Sequence, residues 1–192
     1  MVLCFDRDET EQCRRGTSPT GEFTEIERTN YDHVFIRLSA SKSNYWSLTL
    51  NIGIFIVEYG FALGSSAKRH GKLDLLDLSS WTWETGKSYS TDVWNFATLV
   101  YDESMFVFGG FSSQKGPLEL IRSYNPNTIT WTDRGKLLEP HCAHNVIFSS
   151  GVFLILGDEN PMIGDNHKSE KCILDGNLFV CEKQKTLFGS VE

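Results

Sequence analysis

Three pieces of one stretch decide the fold: Phe96-Ala97-Thr98-Leu99-Val100-Tyr101, then Ser104-Met105-Phe106-Val107-Phe108-Gly109-Gly110, then Ile121-Arg122-Ser123-Tyr124-Asn125-Pro126-Asn127-Thr128-Ile129-Thr130-Trp131-Thr132. Each is a short apolar run rich in β-branched and aromatic side chains, which pack well on a pleated surface. Each run is interrupted by turn-forming residues, at Asp102-Glu103, at Gln114 to Gly116 and at Asn125-Pro126-Asn127. Runs this short, punctuated this often, predict four strands joined by tight turns and exclude a helical reading.

The rest of the 192-residue chain agrees, with 40% hydrophobic residues, 13 Phe, 6 Tyr and 5 Trp to supply strands and a core, and 16 Gly to supply turns. An all-β fold is expected. The same plan recurs on both sides of the opening stretch. Upstream stand Tyr45 to Leu50, Phe55-Ile56-Val57-Glu58-Tyr59-Gly60, and Lys72 to Trp83, with Trp83 placed 48 residues before Trp131. Downstream stand His144 to Phe148, Val152 to Asp158, and Lys171 to Cys181, with Gly157-Asp158 placed 48 residues after Gly109-Gly110. A fixed period of this length dictates a repeat architecture.

The unit from 96 to 138 resembles a kelch repeat, whose marks are a strand ending in Gly-Gly and a Tyr seven residues before a Trp. Gly109-Gly110, Tyr124 and Trp131 occupy those places. Upstream, Leu76 stands for the Tyr, and Tyr59-Gly60 for the glycine pair. Downstream, Cys181 or Phe179 stands for the Trp, after an Asp175-Gly176 hairpin turn. At the start of the chain, Val2 to Phe5, Gln12 to Arg15 and Ser18 to Glu25 read as the later strands of one more unit, with Phe23 for Trp.

The resemblance implies a kelch-type β-propeller fragment of about three and a half four-stranded blades, too few to close the usual ring. Its parts are a partial blade at 1–30, a degenerate blade with an insertion at 31–90, a clear blade at 91–138 and a degenerate blade at 139–192. The insertion is placed at Ser39 to Asn44, beside a strand-like His33 to Leu38.

Formal net charge is −7, so no diffuse basic surface is present to draw a phosphate backbone or anionic lipid, and nucleic acid is not expected as a partner. The cluster Lys68-Arg69-His70 with Lys72 is read as a solvated loop tip. The longest apolar candidate, Ile52 to Leu63, is broken by Gly53, Glu58 and Gly60, and no membrane span is expected. The first residues turn acidic after Phe5 without the pattern of a secretory signal. A cytoplasmic home is the default expectation, and an extracellular one follows if the parent gene carries a signal.

The 5 cysteines lack metal-ligand spacing, but Cys172 and Cys181 flank the Asp175-Gly176 turn and are a candidate disulfide across the hairpin. Reduced, packed thiols are the alternative. Cys4 and Cys13 raise the same question. His141 and His144 are expected to face opposite sides of a strand and to be structural or solvent-exposed rather than metal ligands, with partner binding as the alternative. Asp158 to His167 lacks the order of a calcium loop and is expected to be a polar connection.

No nucleophile elbow, phosphate-binding loop or zinc-helix motif occurs, so no catalytic residue, metal or cofactor is assigned. The expected function is a non-catalytic scaffold that binds a protein partner through loops between strands. The loops are Ser65 to Gly71, Ser112 to Pro117 and Glu159 to Lys168, and the candidate contact residues are Arg69, His70, Gln114, Lys115, Asn160 and Asn166. The alternatives are a secreted kelch protein and a propeller domain of a larger oxidase.

Overall fold

The computed structural model describes residues 2–7, 10–16, 23–26, 39–40, 54–55, 59–65, 70–77, 79–102, 104–157, 159–160, 164–165 and 169–183. These are strands and the connections between them, and no helix occurs among the described residues. The all-β expectation holds.

The opening stretch forms a four-stranded antiparallel sheet of β9 (Ala97–Tyr101), β10 (Ser104–Phe108), β13 (Leu120–Asn125) and β14 (Thr130–Lys136), in the order β14-β13-β10-β9. Between its middle strands projects a small hairpin of β11 (Phe111–Ser112) and β12 (Gly116–Pro117). The next sheet repeats the plan with β15 (Asn145–Ser149), β16 (Val152–Leu156), β19 (Glu170–Asp175) and β20 (Leu178–Lys183), and its hairpin is β17 (Glu159–Asn160) with β18 (Gly164–Asp165). Upstream lie a three-stranded sheet of β6 (Tyr59–Ser65), β7 (His70–Asp77) and β8 (Trp83–Thr85), and another of β1 (Val2–Arg7), β2 (Thr10–Gly16) and β3 (Phe23–Ile26). A two-residue pairing joins β4 (Ser39–Ala40) to β5 (Ile54–Phe55) in parallel.

The period visible in the sequence is written into the backbone. Residues with positive φ recur 48 apart: Trp81 and Ile129, Asn95 and Ala143, Asp102 and Ser150, Gly109 and Gly157. Most of these are not glycine, and a non-glycine residue holds this conformation only where its surroundings impose it. The same imposed turns at the same interval show that the sheets are copies of one unit. Side-chain chemistry repeats too. Asp77 and Asn125, also 48 apart, each turn a hairpin by accepting two downstream amides on Oδ1: Ser79 (2.7 Å) and Ser80 (3.3 Å) in one, Asn127 (2.9 Å) and Thr128 (3.1 Å) in the other.

The sheets stack face to face, with β9 against β15 and β14 against β20. Strand alternation sends Phe61, Leu63, Leu73 and Leu75 from one sheet and Met105, Val107 and Tyr124 from the next into one core cluster. The other face of that second sheet sends Phe106, Phe108 and Ile121 into a second cluster with Phe153, Ile155, Cys172 and Phe179. Both faces of the β9–β14 sheet are therefore buried, which explains why Met105-Phe106-Val107-Phe108 is an unbroken apolar run. Each fully buried Phe in that run is worth about 2–3 kcal/mol in apolar area.

Two assignments differ from the sequence reading. The upstream counterpart of β10 is Tyr59–Ser65, not Phe55 to Gly60. Hairpin register decides the matter: Leu63 opposes Leu73 as Phe108 opposes Ile121, so Gly64, not Gly60, holds the position of Gly109. Burial of Phe61 and Leu63 in the core cluster outweighs the superficial match of Tyr59-Gly60 to a glycine pair. In the supposed insertion, Ser39–Ala40 form a strand, because their backbone pairs with Ile54–Phe55. Residues 41–44, the strand-like run 33–38 and Tyr45 to Leu50 lie outside the described residues.

Candidate functional site

The β11–β12 hairpin carries Gln114 and Lys115 at its exposed tip, while Ser112 at its base is fully buried. Ser112 is therefore not a contact residue, and the candidate surface contracts from Ser112 to Pro117 to the tip. The tip is held from beneath by Asp92, in the segment that leads into β9. Its carboxylate accepts hydrogen bonds from Ser112 Oγ (2.6 Å), the Ser113 amide (2.9 Å), Ser113 Oγ and Thr91 Oγ1 (3.0 Å). Burial acts to raise the Asp92 pKa, but the donors from Ser112, Ser113 and Thr91 outweigh it and bring it down to about 2. Trp94 and Phe111 stack beside this cluster at 5.1 Å and exchange backbone hydrogen bonds of 3.0 and 2.7 Å. Nothing in the pattern around Asp92 signals this role, because the partners lie some twenty residues apart and meet only in the fold.

The other predicted loops stand differently. Of the Ser65 to Gly71 loop, His70 is the first residue of β7 with its backbone opposite Ser65, and residues 66–69 lie outside the described residues. Asn160 lies in β17 with its backbone opposite Gly164. Arg69 and Asn166 lie outside the described residues.

A second polar cluster joins the last two sheets. Glu170, at the start of β19, is buried, and its carboxylate takes the amides of Leu138 (2.9 Å) and Glu139 (3.0 Å) and meets His141 Nε2 at 2.9 Å. Residues 137–144 are the connection from β14 to β15, so this carboxylate ties one sheet to the strand that leaves its neighbour. Arg122 does the corresponding work one repeat earlier, donating to Ser90 Oγ (2.8 Å) and lying 5.1 Å from the Tyr89 ring centroid. The expectation that His141 and His144 face opposite sides is corrected. They precede β15 rather than lying in a strand, Ala143 between them has φ 53, and both rings are buried 5.6 Å apart.

Tyr124 stands directly opposite Trp131 in the β13–β14 hairpin, and the indole Nε1–H donates to the Lys87 carbonyl at 2.7 Å. Leu76 faces Trp83 in the same way. In the last sheet the equivalent pair is Cys172 and Cys181, joined as a disulfide with Cα atoms 4.0 Å apart. The candidate disulfide is thus formed, and Cys181 rather than Phe179 takes the place of the Trp. Cys4 also stands opposite Cys13 in the β1–β2 register. The outward face of the last sheet leaves Ile173 45% and Val180 61% exposed, side by side across the hairpin.

No family model and no curated protein matches this chain. Among solved structures, that of YjhT aligns over 100% of this chain with a TM-score of 0.69 at 10% sequence identity. The fold is that of a β-propeller. The chain spans 60% of the length of that structure. Its described sheets do not close into a ring, and among the described residues no helix is long and apolar enough to cross a membrane.

Proposed function

We propose that the chain is a kelch-type propeller scaffold that binds a protein partner and performs no catalysis of its own. The observation that carries this reading is the hairpin whose base is fixed by Asp92, Ser112 and Ser113 while Gln114 and Lys115 stand in solvent at its tip. A loop held this firmly loses little conformational entropy on binding, which favours recognition. The exposed Ile173–Val180 pair adds an apolar patch of the kind that marks interaction surfaces. The polar clusters serve the frame: Asp92 and Glu170 spend their oxygens on backbone amides and neighbouring side chains. The kelch assignment rests on the Gly109-Gly110, Tyr124 and Trp131 pattern and on the repeat period.

The test uses the whole chain as bait, wild type against Gln114→Ala/Lys115→Ala. The variant should fold with an unchanged unfolding midpoint and lose at least one saturable, stoichiometric partner. An identical set of partners at identical affinity removes the assignment of this hairpin.

A second reading, a secreted or extracellular kelch protein, is favoured by the Cys172–Cys181 disulfide, since such bonds persist in oxidising compartments. Thiol counting on denatured, unreduced protein isolated from its native source decides it, and reduced Cys172 and Cys181 in that material would count against secretion.

A further inference from the structure

Glu170 and Cys172 lie two positions apart on β19 and so share a face, and Cys181 stands opposite Cys172 on β20. One ligand atom from each of the three lies within 4.8 Å of the others. Glu170 and Cys172 are buried and Cys181 is half-buried, which leaves an approach from solvent on the β20 side. We propose that, when the disulfide is reduced, these three side chains form a binding site for a thiophilic divalent ion of the zinc class.

The chemistry balances with a thiol or phosphine reductant. A dithiol is oxidised to its own disulfide, or a phosphine takes an oxygen from water to become the phosphine oxide, and Cys172 and Cys181 each gain a hydrogen. On metal binding the two thiol protons leave to solvent, and the two thiolates with the Glu170 carboxylate hold the ion, with water in the fourth position. Two sulfurs bound to one tetrahedral zinc stand about 3.8 Å apart, given Zn–S bonds of about 2.3 Å. Side chains on Cα atoms 4.0 Å apart and facing the same way meet that spacing without moving the strands.

The carboxylate is already aimed. Oε1 meets the Glu139 amide and His141 Nε2, while Oε2 takes the Leu138 amide alone and keeps a lone pair. His141 acts here as a positioning residue that fixes the ligand's orientation. Soft thiolates with one carboxylate suit zinc or cadmium and disfavour magnesium or calcium.

Cadmium is the probe, added to the whole chain after anaerobic reduction with a phosphine and read by thiolate-to-cadmium charge-transfer absorbance. Reduced wild type should bind one ion per chain, and so should Cys4→Ser/Cys13→Ser, which removes the other opposed pair. Cys181→Ser should abolish the band, and Glu170→Gln should weaken binding at least about tenfold. Cadmium should also protect Cys172 and Cys181 together from alkylation in the wild type, a readout that survives if the Glu170 variant fails to fold. The site is overturned by a reduced, folded chain that gives no band, by a band that disappears with Cys4 and Cys13, by unchanged affinity in Glu170→Gln, or by equal alkylation with and without metal.

Discussion

Ser112 Oγ donates to Asp92 Oδ1 at 2.6 Å, so a buried hydroxyl and a buried carboxylate twenty positions apart fix the root of the β11–β12 hairpin. The bond makes this hairpin sensitive to acid. The folded Asp92 pKa is about 2, below its ordinary 3.8, so its stabilising effect is complete above the unfolded value and is lost as pH falls from about 4 through 2. Urea midpoints measured between pH 6 and 2 should fall for the wild type and fall less for Asp92→Asn, which is already weaker at neutral pH. Equal slopes for the two proteins in the acid limb would refute the role given to Asp92.

Trp131 bridges the hairpin and the preceding connection, with its ring 4.9 Å from Tyr89 and 5.0 Å from Tyr124 and its N–H on Lys87 O. Trp131→Phe keeps most of the ring contact and loses the hydrogen bond, at about 1 kcal/mol. Trp131→Ala loses both and should cost about 3 kcal/mol, because the site is half-buried and sits at the low end of aromatic truncations. Chemical denaturation of the two variants gives the comparison, and equal costs would mean that the ring contacts contribute nothing.

Much of this fold was legible before any coordinates. Gly109-Gly110, Tyr124 and Trp131 mark turns and packing whose geometry depends on near neighbours, and the 48-residue interval carries the same marks along the chain. At Tyr59-Gly60 the sequence pattern misleads because a glycine is a weak anchor when burial sets the register: Phe61 and Leu63 must face the core, and the strand slides until they do. His141 and His144 escape the strand period because they lie in a connection with a positive φ at Ala143. Glu170 and Asp92 have no local signature, since Ser112 and His141 lie 20 and 29 residues from them and meet them only in the fold.

Gly109 should tolerate no side chain. Its φ is +54, and a Cβ there would fall 2.5 Å from the carbonyl oxygen of His141 and 3.0 Å from that of Leu118. Neither oxygen can retreat cheaply: the His141 carbonyl accepts the Gly110 amide at 2.8 Å, and the His141 amide donates to Leu118 O at 3.1 Å. Gly109→Ala should therefore cost about 2–4 kcal/mol, more than conformational preference alone. Gly157 has a similar φ of +76 but, among the described residues, nothing within 4 Å of where its Cβ would stand, so Gly157→Ala should cost only about 1 kcal/mol. Thermal unfolding of the pair separates clash from backbone strain, and equal losses would show that the His141 carbonyl yields.

Reduction of Cys172–Cys181 tests what replaced the aromatic pair of the preceding sheet. The bridge joins residues 9 apart, and closing a loop of that size in the unfolded chain stabilises the fold by about 2–3 kcal/mol. For a chain of this size the loss lowers the unfolding midpoint by about 5–10 °C. Cys172→Ala/Cys181→Val should lose a similar amount and become indifferent to reductant, while the wild type should move toward it when a phosphine is added. Neither change should disturb Tyr124 opposite Trp131 in the neighbouring sheet, because that pair packs in the other core cluster. Trp131 emission in the folded, reduced protein therefore stays at its oxidised wavelength while the unfolding midpoint drops. A shift in emission before unfolding would mean that the two clusters are coupled and that the disulfide supports more than its own hairpin.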